Sequence, residues 1–403
     1  MKPVRVSRRG ETSPASPIRK LVPLAVDAGR RGRKVHYLNI GQPDLPTPQP
    51  MWDTIIEGAP KVLAYSPSDG LPELKKAIAD YYQRLEIPIS EDQLIVTTGG
   101  SEAIVLAVGS VTDPGDEVLI PEPFYANYNG FSHLLGVKVM PIPTLPEDGY
   151  HLPPRQVWEE RLSARTRAIL ICNPGNPTGT VYRPEEIEEV LAFAAEWGLF
   201  VIADEVYREF CFDGETHRSV THYPEYADRV ILIDSISKRF SACGARIGSV
   251  STQNSDVLES CLHFAQARLS PPTLGQLMAV EAFGFEPSYY EDLAREYLAR
   301  RDAVMDELSK MEGVLCEVPK GAFYAMAKLP VDDAEKFASW MLTDFEYEGE
   351  TTFVAPGEGF YATPGAGTQE VRIAYVFEAP VMRRAMEVLG RGLQAYQKLG
   401  GAG

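Results

Sequence analysis

The sequence predicts an α/β protein: a large domain with a mostly parallel sheet flanked by helices, plus a smaller α+β domain built from the N- and C-terminal segments. Two observations predict it. From about residue 70, short apolar runs alternate with segments long enough for crossover helices, which is typical of a βαβ series. After about residue 287, a long helical segment leads instead into alternating strands.

The apolar runs are bounded by turn residues and suit strands that are buried on both faces. The predicted strands of the large sheet are Leu94–Val96, Val118–Ile120, Ala168–Cys172, Phe200–Ala203 and Val230–Ile233. The smaller domain is predicted to contain helices Tyr289–Met311 and Pro380–Gln397 and strands Val314–Val318, Ala322–Ala327 and Val371–Tyr375. We expect a loose tail over residues 1–17, a segment 18–60 that packs with the small domain, a large domain over 61–287 and a small domain over 288–403.

Composition excludes several partners. The formal net charge is −17, which disfavours binding to nucleic acid and to anionic membranes. No apolar run reaches the roughly 18 residues that span a bilayer. Five cysteines without a CxxC pair argue against a disulfide framework and favour a reducing, cytoplasmic compartment, and the six scattered histidines give no support to a metal site. The basic N-terminus lacks the apolar region of a secretory signal.

Lys238 stands in the strongest local signal. It follows the apolar run 230–233, so it lies where doubly wound sheets bind their ligands. Ser235 and Ser237 precede it and Arg246 follows eight positions later, which suits a nearby anion. A lone loop lysine is usually just a solvated charge. Its amine becomes a useful nucleophile only where burial or neighbouring cations disfavour the ammonium form.

Two further strand ends carry polar groups. Asp204 closes the run that starts at Phe200, where an unpaired acid is expensive to bury; the alternative is a helix cap. The segment Asn173-Pro174-Gly175-Asn176-Pro177-Thr178-Gly179 also follows an apolar strand, and by itself it could be a simple turn.

Two more candidates are anion sites. The turn Thr97-Thr98-Gly99-Gly100-Ser101-Glu102-Ala103 joins a strand to a helix, and free N–H groups at a helix start bind phosphate. It is neither GxGxxG nor a Walker loop, which argues against a dinucleotide or nucleotide. Arg372 alternates with apolar neighbours and, if it points inward, needs an anionic partner such as a carboxylate; the alternative is a surface arginine.

In this order, the motifs resemble the class I aminotransferases of the aspartate aminotransferase superfamily, from about Ile18 to the C-terminus. The resemblance rests on the ordered set Gly41-Gln42-Pro43-Asp44, Gly99-Gly100-Ser101-Glu102-Ala103, Asn173-Pro174-Gly175-Asn176-Pro177-Thr178-Gly179, Ala203-Asp204-Glu205-Val206-Tyr207, Ser235-Ile236-Ser237-Lys238, Arg246 and Val371-Arg372-Ile373.

The resemblance implies pyridoxal 5'-phosphate as cofactor. Lys238 would form its Schiff base and move the proton, and Asp204 would pair with the pyridinium nitrogen. Asn176 and Tyr207 would contact the phenolic oxygen, and Tyr125 would stack on the ring.

The resemblance also implies the anchors for phosphate and substrate. Tyr65 corresponds to a tyrosine that reaches the phosphate of the neighbouring subunit, which implies a homodimer with shared active sites. Arg372 would bind the substrate α-carboxylate, helped by Gly41 and Asn176. The residues implied around the phosphate are Gly100, Ser101, Glu102, Ser235 and Arg246.

The implied reaction moves an amino group from an L-amino acid, with aspartate or glutamate favoured, to a 2-oxo acid such as 2-oxoglutarate. Ser101 stands where some aspartate-specific relatives carry lysine, so Arg19 and Arg268 are the candidates for a second carboxylate. The alternative for either arginine is a role at the surface. The alternatives are a broad-specificity aromatic or 2-aminoadipate-type aminotransferase and a β-eliminating lyase on the same cofactor. A ligand-sensing regulator is disfavoured, since only some 17 residues precede the resemblance and the chain is acidic.

Overall fold

The computed structural model describes residues 4–400, which form twelve strands and thirteen α-helices. The strands are β1 (Lys34–Tyr37), β2 (Leu94–Thr97), β3 (Glu117–Glu122), β4 (Lys138–Pro143), β5 (Thr166–Cys172), β6 (Phe200–Asp204), β7 (Val230–Ser235), β8 (Gly248–Ser251), β9 (Tyr324–Lys328), β10 (Glu350–Phe353), β11 (Ala355–Pro356) and β12 (Glu370–Ala374). The helices are α1 (Arg8–Glu11), α2 (Val22–Arg30), α3 (Gln49–Gly58), α4 (Pro72–Arg84), α5 (Gly99–Val111), α6 (Asn127–Leu135), α7 (Arg155–Glu159), α8 (Pro184–Trp197), α9 (Ser255–Arg268), α10 (Thr273–Ala282), α11 (Pro287–Leu308), α12 (Ala334–Thr343) and α13 (Ala379–Lys398).

A seven-stranded sheet forms the centre of the chain, in the order β2-β8-β7-β6-β5-β3-β4. Neighbouring strands run parallel except β8, which is antiparallel to both β2 and β7. Every position of β2, β3 and β7 is buried, as continuous apolar runs covered by helices on both faces require. The predicted fold class is therefore confirmed, and all five predicted apolar runs form strands.

Two smaller sheets accompany the large one. Strands β1 and β10 pair in parallel, and β11, β12 and β9 form an antiparallel sheet. Leu21 and Leu38 from the N-terminal segment share one apolar core with Tyr297, Phe337 and Leu389. The first part of the N-terminal segment thus packs with the C-terminal part of the chain. Helix α3 does not follow the prediction for residues 18–60, because Met51 shares a core with Leu74 and Leu232 from the middle of the chain. The exact domain boundaries stay a prediction.

The predicted strand 314–318 is wrong. This segment makes one isolated bridge, between Leu315 and Lys328, at the free edge of β9. The backbone then turns away, because the N–H groups of Lys320 and Gly321 donate to the carbonyl of Gly179 instead, at 2.9 and 2.8 Å.

The predicted loose tail contains one helical turn, α1, while residues 1–3 lie outside the described part. Arg9 Nη1 donates to the carbonyl of Leu134 at 3.1 Å, so the turn rests on the end of α6. Across residues 4–400, none of the helices combines the length and apolar character required for crossing a bilayer.

Candidate active site

A cavity of 370 Å³ opens at the carboxyl ends of β5, β6 and β7, in the size range of pockets for small ligands. Parallel strands bring these ends to one edge of the sheet, so polar residues far apart in sequence meet there. Eleven of the thirteen predicted site residues line this cavity: Gly41, Gly100, Ser101, Tyr125, Asn176, Asp204, Tyr207, Ser235, Lys238, Arg246 and Arg372.

Asp204 is the buried acid of this cavity, with 6% of its surface exposed. Burial raises the pKa of its carboxyl to about 6, although the hydrogen bond from Tyr128 opposes the rise. The Tyr128 hydroxyl donates to Asp204 Oδ2 at 2.8 Å. The charge of Lys238 also lowers this pKa, but across residues 4–400 no arginine or lysine forms an ion pair with the carboxylate.

Lys238 reaches the same cavity from the loop that follows β7. Its Nζ donates to the carbonyl of Gly41 at 2.9 Å, which aims the amine across the cavity. A larger residue at Gly41 would displace the Tyr324 side chain, because a Cβ there would lie 1.8 Å from its hydroxyl oxygen.

Three polar side chains form a chain of contacts beside the lysine. The Tyr207 and Tyr324 hydroxyls lie 2.9 Å apart, and Asn176 Nδ2 is 3.5 Å from the Tyr207 hydroxyl. Burial raises the pKa of Tyr207 well above its ordinary value, so the phenol stays protonated and can donate a hydrogen bond.

Arg372 lies almost fully buried on β12. It donates to Asn176 Oδ1 at 3.0 Å and to the carbonyl of Asn39 at 2.6 Å, while its Nε finds no partner within the described residues. The guanidinium also lies over the rings of Tyr324 and Phe360, at 4.5 and 4.8 Å from their centroids. A buried guanidinium held by neutral groups is suited to an external carboxylate.

The start of α5 forms an anion site with the loop after Lys238. The first N–H groups of this helix, including those of Gly100 and Ser101, have no partner within the helix. Arg246, in the left-handed region with φ +55°, approaches so closely that a Cβ on Gly99 would lie 2.5 Å from its Nη2. The Ser235 hydroxyl lies 2.7 Å from that of Ser237, which also lines the cavity.

Glu102 and Tyr65 do not line the cavity. The Glu102 carboxylate accepts hydrogen bonds from the Thr98 N–H at 2.6 Å and from Arg268 Nε at 3.1 Å. The first contact satisfies a backbone donor at the start of α5, and the second neutralises the charge of the arginine. Arg268 is therefore wrong as a substrate contact: its remaining nitrogens donate to main-chain carbonyls at 3.1 and 2.9 Å. Tyr65 is 80% exposed, in a segment without helix or strand.

Sequence reasoning missed several residues that line the cavity or contact its residues. Tyr324 gave only an alternating strand pattern, and Tyr128, which contacts Asp204 from behind, lies in α6 outside any motif. The N-terminal segment also reaches the cavity mouth through Ser16, Ile18 and Arg19. This part of the sequence shows only a short amphipathic pattern and no catalytic residue types. Arg19 is the exception, since the sequence analysis already names it as a candidate for binding a second carboxylate.

A family model described as "Aminotransferase class I and II" matches residues 33–389, which is most of the chain. The chain belongs to this family. The resemblance inferred from the ordered motifs is thereby confirmed, and this class I/II aminotransferase is an enzyme.

Relatives and solved structures agree with the family. The aminotransferase is 33% identical to an aspartate aminotransferase of Streptomyces avermitilis over 364 residues, covering 85% of this chain and 87% of the relative. It is 31% identical to aromatic-amino-acid aminotransferase 2 of Thermococcus litoralis, with 96% and 98% covered. A double mutant of the Thermus thermophilus aspartate aminotransferase superposes with a TM-score of 0.88 at 27% identity, covering 96% of this chain and 100% of the other.

Proposed function

We propose that the protein is a pyridoxal-phosphate-dependent aminotransferase that moves the amino group of L-aspartate or L-glutamate to a 2-oxo acid such as 2-oxoglutarate. The observation that carries the proposal is one cavity that combines the amine of Lys238, the unpaired buried acid Asp204 and the buried guanidinium of Arg372. Several similar proteins are named aspartate aminotransferases, which supports this choice of donor.

The cavity suits pyridoxal phosphate. Its phosphate would bind the N-terminus of α5 with Ser235 and Arg246, where the missing Cβ of Gly99 leaves room for the guanidinium. Asp204 would face the ring nitrogen and Tyr125 the ring, so the acid would gain the positive partner that it lacks. When bound, this cofactor supplies an electron sink for negative charge at the substrate α-carbon.

The chain's own residues supply orientation and proton transfer. Arg372 would hold the substrate carboxylate through its two-pronged guanidinium, which fixes the α-carbon within the cavity. Lys238 Nζ would attach the cofactor covalently and then carry the proton at the α-carbon as general acid and base. Tyr207 and Asn176 would hydrogen-bond the phenolic oxygen of the ring.

The test is the substitution Lys238→Ala. We expect it to abolish the visible absorbance of protein incubated with pyridoxal phosphate and to lower turnover by at least about 10⁴-fold, since attachment and proton transfer are both lost. Lys76→Ala, a surface lysine paired with Asp80, is the matched control and should retain colour and turnover. A wild-type protein that takes up no pyridoxal phosphate contradicts the proposal.

A broad-specificity aromatic aminotransferase is the second candidate, because one relative is named an aromatic-amino-acid aminotransferase. A panel of amino donors, each paired with 2-oxoglutarate, separates the two. Higher kcat/KM for phenylalanine or tyrosine than for aspartate and glutamate would favour the aromatic activity.

We further propose a homodimer in which Tyr65 reaches the phosphate of the partner's site. Tyr65 is exposed, and so are the nearby apolar side chains of Trp52, Ile56, Val62 and Leu63. Exposed large apolar side chains concentrated in one part of a chain are expected at an interface. Sedimentation is expected to give twice the chain mass of 44.5 kDa, and Tyr65→Phe is expected to weaken cofactor binding. A monomer with unchanged cofactor affinity would rule this out.

The domain boundaries and the location are proposals as well. A small domain that includes the start of the segment 18–60 and residues 288–403 is supported by the core that both share, with residues 61–287 forming the large domain. Helix α3 would belong to the large domain, since Met51 shares a core with Leu74 and Leu232. A cytoplasmic location is supported by five cysteines that are all free thiols.

A further inference from the structure

The loop that carries Gly41 lies between two residues that are each bound by an arginine. Before it, the carbonyl of Asn39 accepts a hydrogen bond from Arg372 at 2.6 Å. After it, the Asp44 carboxylate accepts one from Arg300 Nη1 at 2.6 Å. Gly41 itself lines the cavity, and within the described part of the chain its N–H donates no hydrogen bond. The position of this lining residue is therefore set from both sides.

Arg300 connects this loop to the segment that follows the strand of Arg372. It lies fully buried on α11, and the same nitrogen that binds Asp44 also donates to the carbonyl of Val376 at 2.6 Å. Val376 comes shortly after β12 in the chain. One guanidinium nitrogen thus bonds both the loop and the end of this strand, which fixes Gly41 relative to Arg372.

The neighbouring Arg301 forms a similar buried pair that leads elsewhere. Its guanidinium bonds Asp213 at 2.7 and 3.0 Å and the carbonyl of Pro319 at 2.9 Å. The side chains of Asp213 and Asp44 are matched in exposure, at 33% and 31%. Neither acid lines the cavity, and neither does Pro319. The two adjacent arginines therefore have the same charge and similar burial, but only one of them holds a loop that reaches the cavity.

We propose that Arg300 is a positioning residue for substrate binding, which holds the Gly41 loop at a fixed separation from Arg372. This inference rests on the proposed function, in which Arg372 and Gly41 together bind the α-carboxylate. A carboxylate held by two groups at once gains affinity from both only while their separation matches it. Arg300 acts through this separation and not by contact, since it lies outside the cavity lining.

The experiment compares Asp44→Asn with Asp213→Asn, which alters the acid partner of Arg301. Both changes keep the size of the side chain and remove one charge from a partly exposed ion pair, so their effects on stability in chemical denaturation should be similar. In protein loaded with pyridoxal phosphate, we expect Asp44→Asn to raise KM for aspartate and glutamate by roughly threefold to thirtyfold and to leave kcat within about threefold. Asp213→Asn should leave both constants within about twofold of the wild type.

Two further measurements do not depend on turnover. Calorimetric titration of the loaded protein with succinate, a non-reacting dicarboxylate, should show the same loss of affinity in Asp44→Asn and no loss in Asp213→Asn. The affinity for pyridoxal phosphate, followed by its visible absorbance, should stay within about twofold of the wild type in both variants. The proposed phosphate site lies at α5, Ser235 and Arg246, and none of these contacts Asp44.

A milder change separates the position of the loop from the charge of the acid. Asp44→Glu retains the ion pair but lengthens the link to Arg300 by one methylene, so the loop is displaced while the charge is kept. We expect a loss of succinate affinity in the same direction as in Asp44→Asn but smaller, and no loss in Asp213→Glu. If Asp44→Asn does not fold, this pair of variants carries the test.

The outcomes separate the inference from the function on which it rests. Equal losses in the two asparagine variants, no loss in Asp44→Asn, a parallel loss of cofactor affinity, or unchanged succinate affinity in Asp44→Glu each overturn the role of Arg300 and leave the aminotransferase intact. A wild-type protein that transaminates no amino donor overturns the proposed function, and the inference with it.

Discussion

Asp204 and Asp234 lie near the carboxyl ends of neighbouring strands of the same sheet, yet their pKa values shift in opposite directions. In the β6–β7 pairing Asp204 lies opposite Ile233, the residue before Asp234, and both aspartates are buried, with 6% and 1% exposed. Burial raises the pKa of Asp204 to about 6. Burial also works against ionisation of Asp234, but there the charges of Arg208 and Arg239 prevail and its pKa lies below the ordinary value.

The difference lies in where the counter-charge comes from. Arg208 Nη1 lies 2.7 Å from Asp234 Oδ2, and Arg239 bonds the same oxygen. Both counter-charges of this acid are therefore supplied by the protein. Asp204 has a tyrosine hydroxyl and a backbone N–H but no cation bonded to it among residues 4–400. The charge of Asp234 is thus compensated within the protein, and removing this acid leaves two buried cations uncompensated. An acid without a bonded cation is instead available to a positively charged ligand.

The largest effect is expected at Asp234. Asp234→Asn leaves the guanidinium groups of Arg208 and Arg239 buried without their acid, so the protein should lose about 3–5 kcal/mol of stability in chemical denaturation. The wild-type contribution should itself disappear as the pH falls through the lowered pKa of Asp234. If Asp234→Asn were as stable as the wild type, the two ion pairs could not explain why Asp234 and Asp204 differ in their contribution to stability.

Asp204→Asn should act on catalysis instead. We expect turnover to fall by about 10²–10³-fold at saturating pyridoxal phosphate, because the ring nitrogen loses its negative partner. Glu205→Gln is the control: this adjacent acid is also buried, but it lies outside the cavity lining and its turnover should be retained. Equal losses in both variants would contradict a specific role for Asp204.

The cofactor-free protein should respond to Asp204→Asn in the opposite direction. The pKa of this carboxyl rises from 3.8 to about 6 on folding, so ionising it costs more in the folded protein than in the unfolded chain. The folded protein therefore loses stability as the pH increases from 3.8 to about 6, and the loss persists at higher pH. We therefore expect the cofactor-free variant to be more stable than the wild type by roughly 2–3 kcal/mol at pH 8 and equally stable near pH 4. Chemical denaturation of both proteins at the two pH values measures this difference in stability. If the difference were the same at pH 8 and pH 4, the electrostatic cause would be refuted.

The smallest effect concerns the tyrosine bonded to each acid. Tyr128→Phe removes the hydrogen bond that lowers the Asp204 pKa, so the pH midpoint of pyridoxal phosphate affinity should move upward by less than about one unit. Tyr82→Phe removes the hydroxyl 3.3 Å from Asp234 and should leave that midpoint unchanged. The same shift in both variants would remove the distinction between the two sites.

Sequence reasoning predicted the strands that are buried because their own side chains are apolar. It missed β8, whose four residues include one large apolar side chain, Val250, and β4, which lies at the sheet edge, is only partly buried and contains two prolines. The burial of β8 comes from close backbone packing: a Cβ on Gly248 would lie 2.6 Å from the backbone of Gly99. Such contacts depend on neighbours distant in sequence and leave no periodic pattern.

The site shows the same division. Lys238, Asp204 and Asn176 directly follow or end apolar strands, and the geometry of a parallel sheet was enough to bring them together. Tyr128 bonds Asp204 from a helix, and Tyr324 lines the cavity from a different sheet, so only the three-dimensional structure places them. Glu102 shows the converse, since motif membership gave no indication that its carboxylate turns to Arg268.

Asn39 links the N-terminal segment to the buried guanidinium of the cavity. Its Nδ2 donates to the carbonyl of Ile18 at 3.1 Å, and its own carbonyl accepts from Arg372 at 2.6 Å. The arginine is therefore positioned by a residue that also holds the backbone at the cavity mouth, so a displacement of that backbone would change the orientation of the guanidinium. No local pattern reveals this connection, since 333 positions separate Asn39 from Arg372.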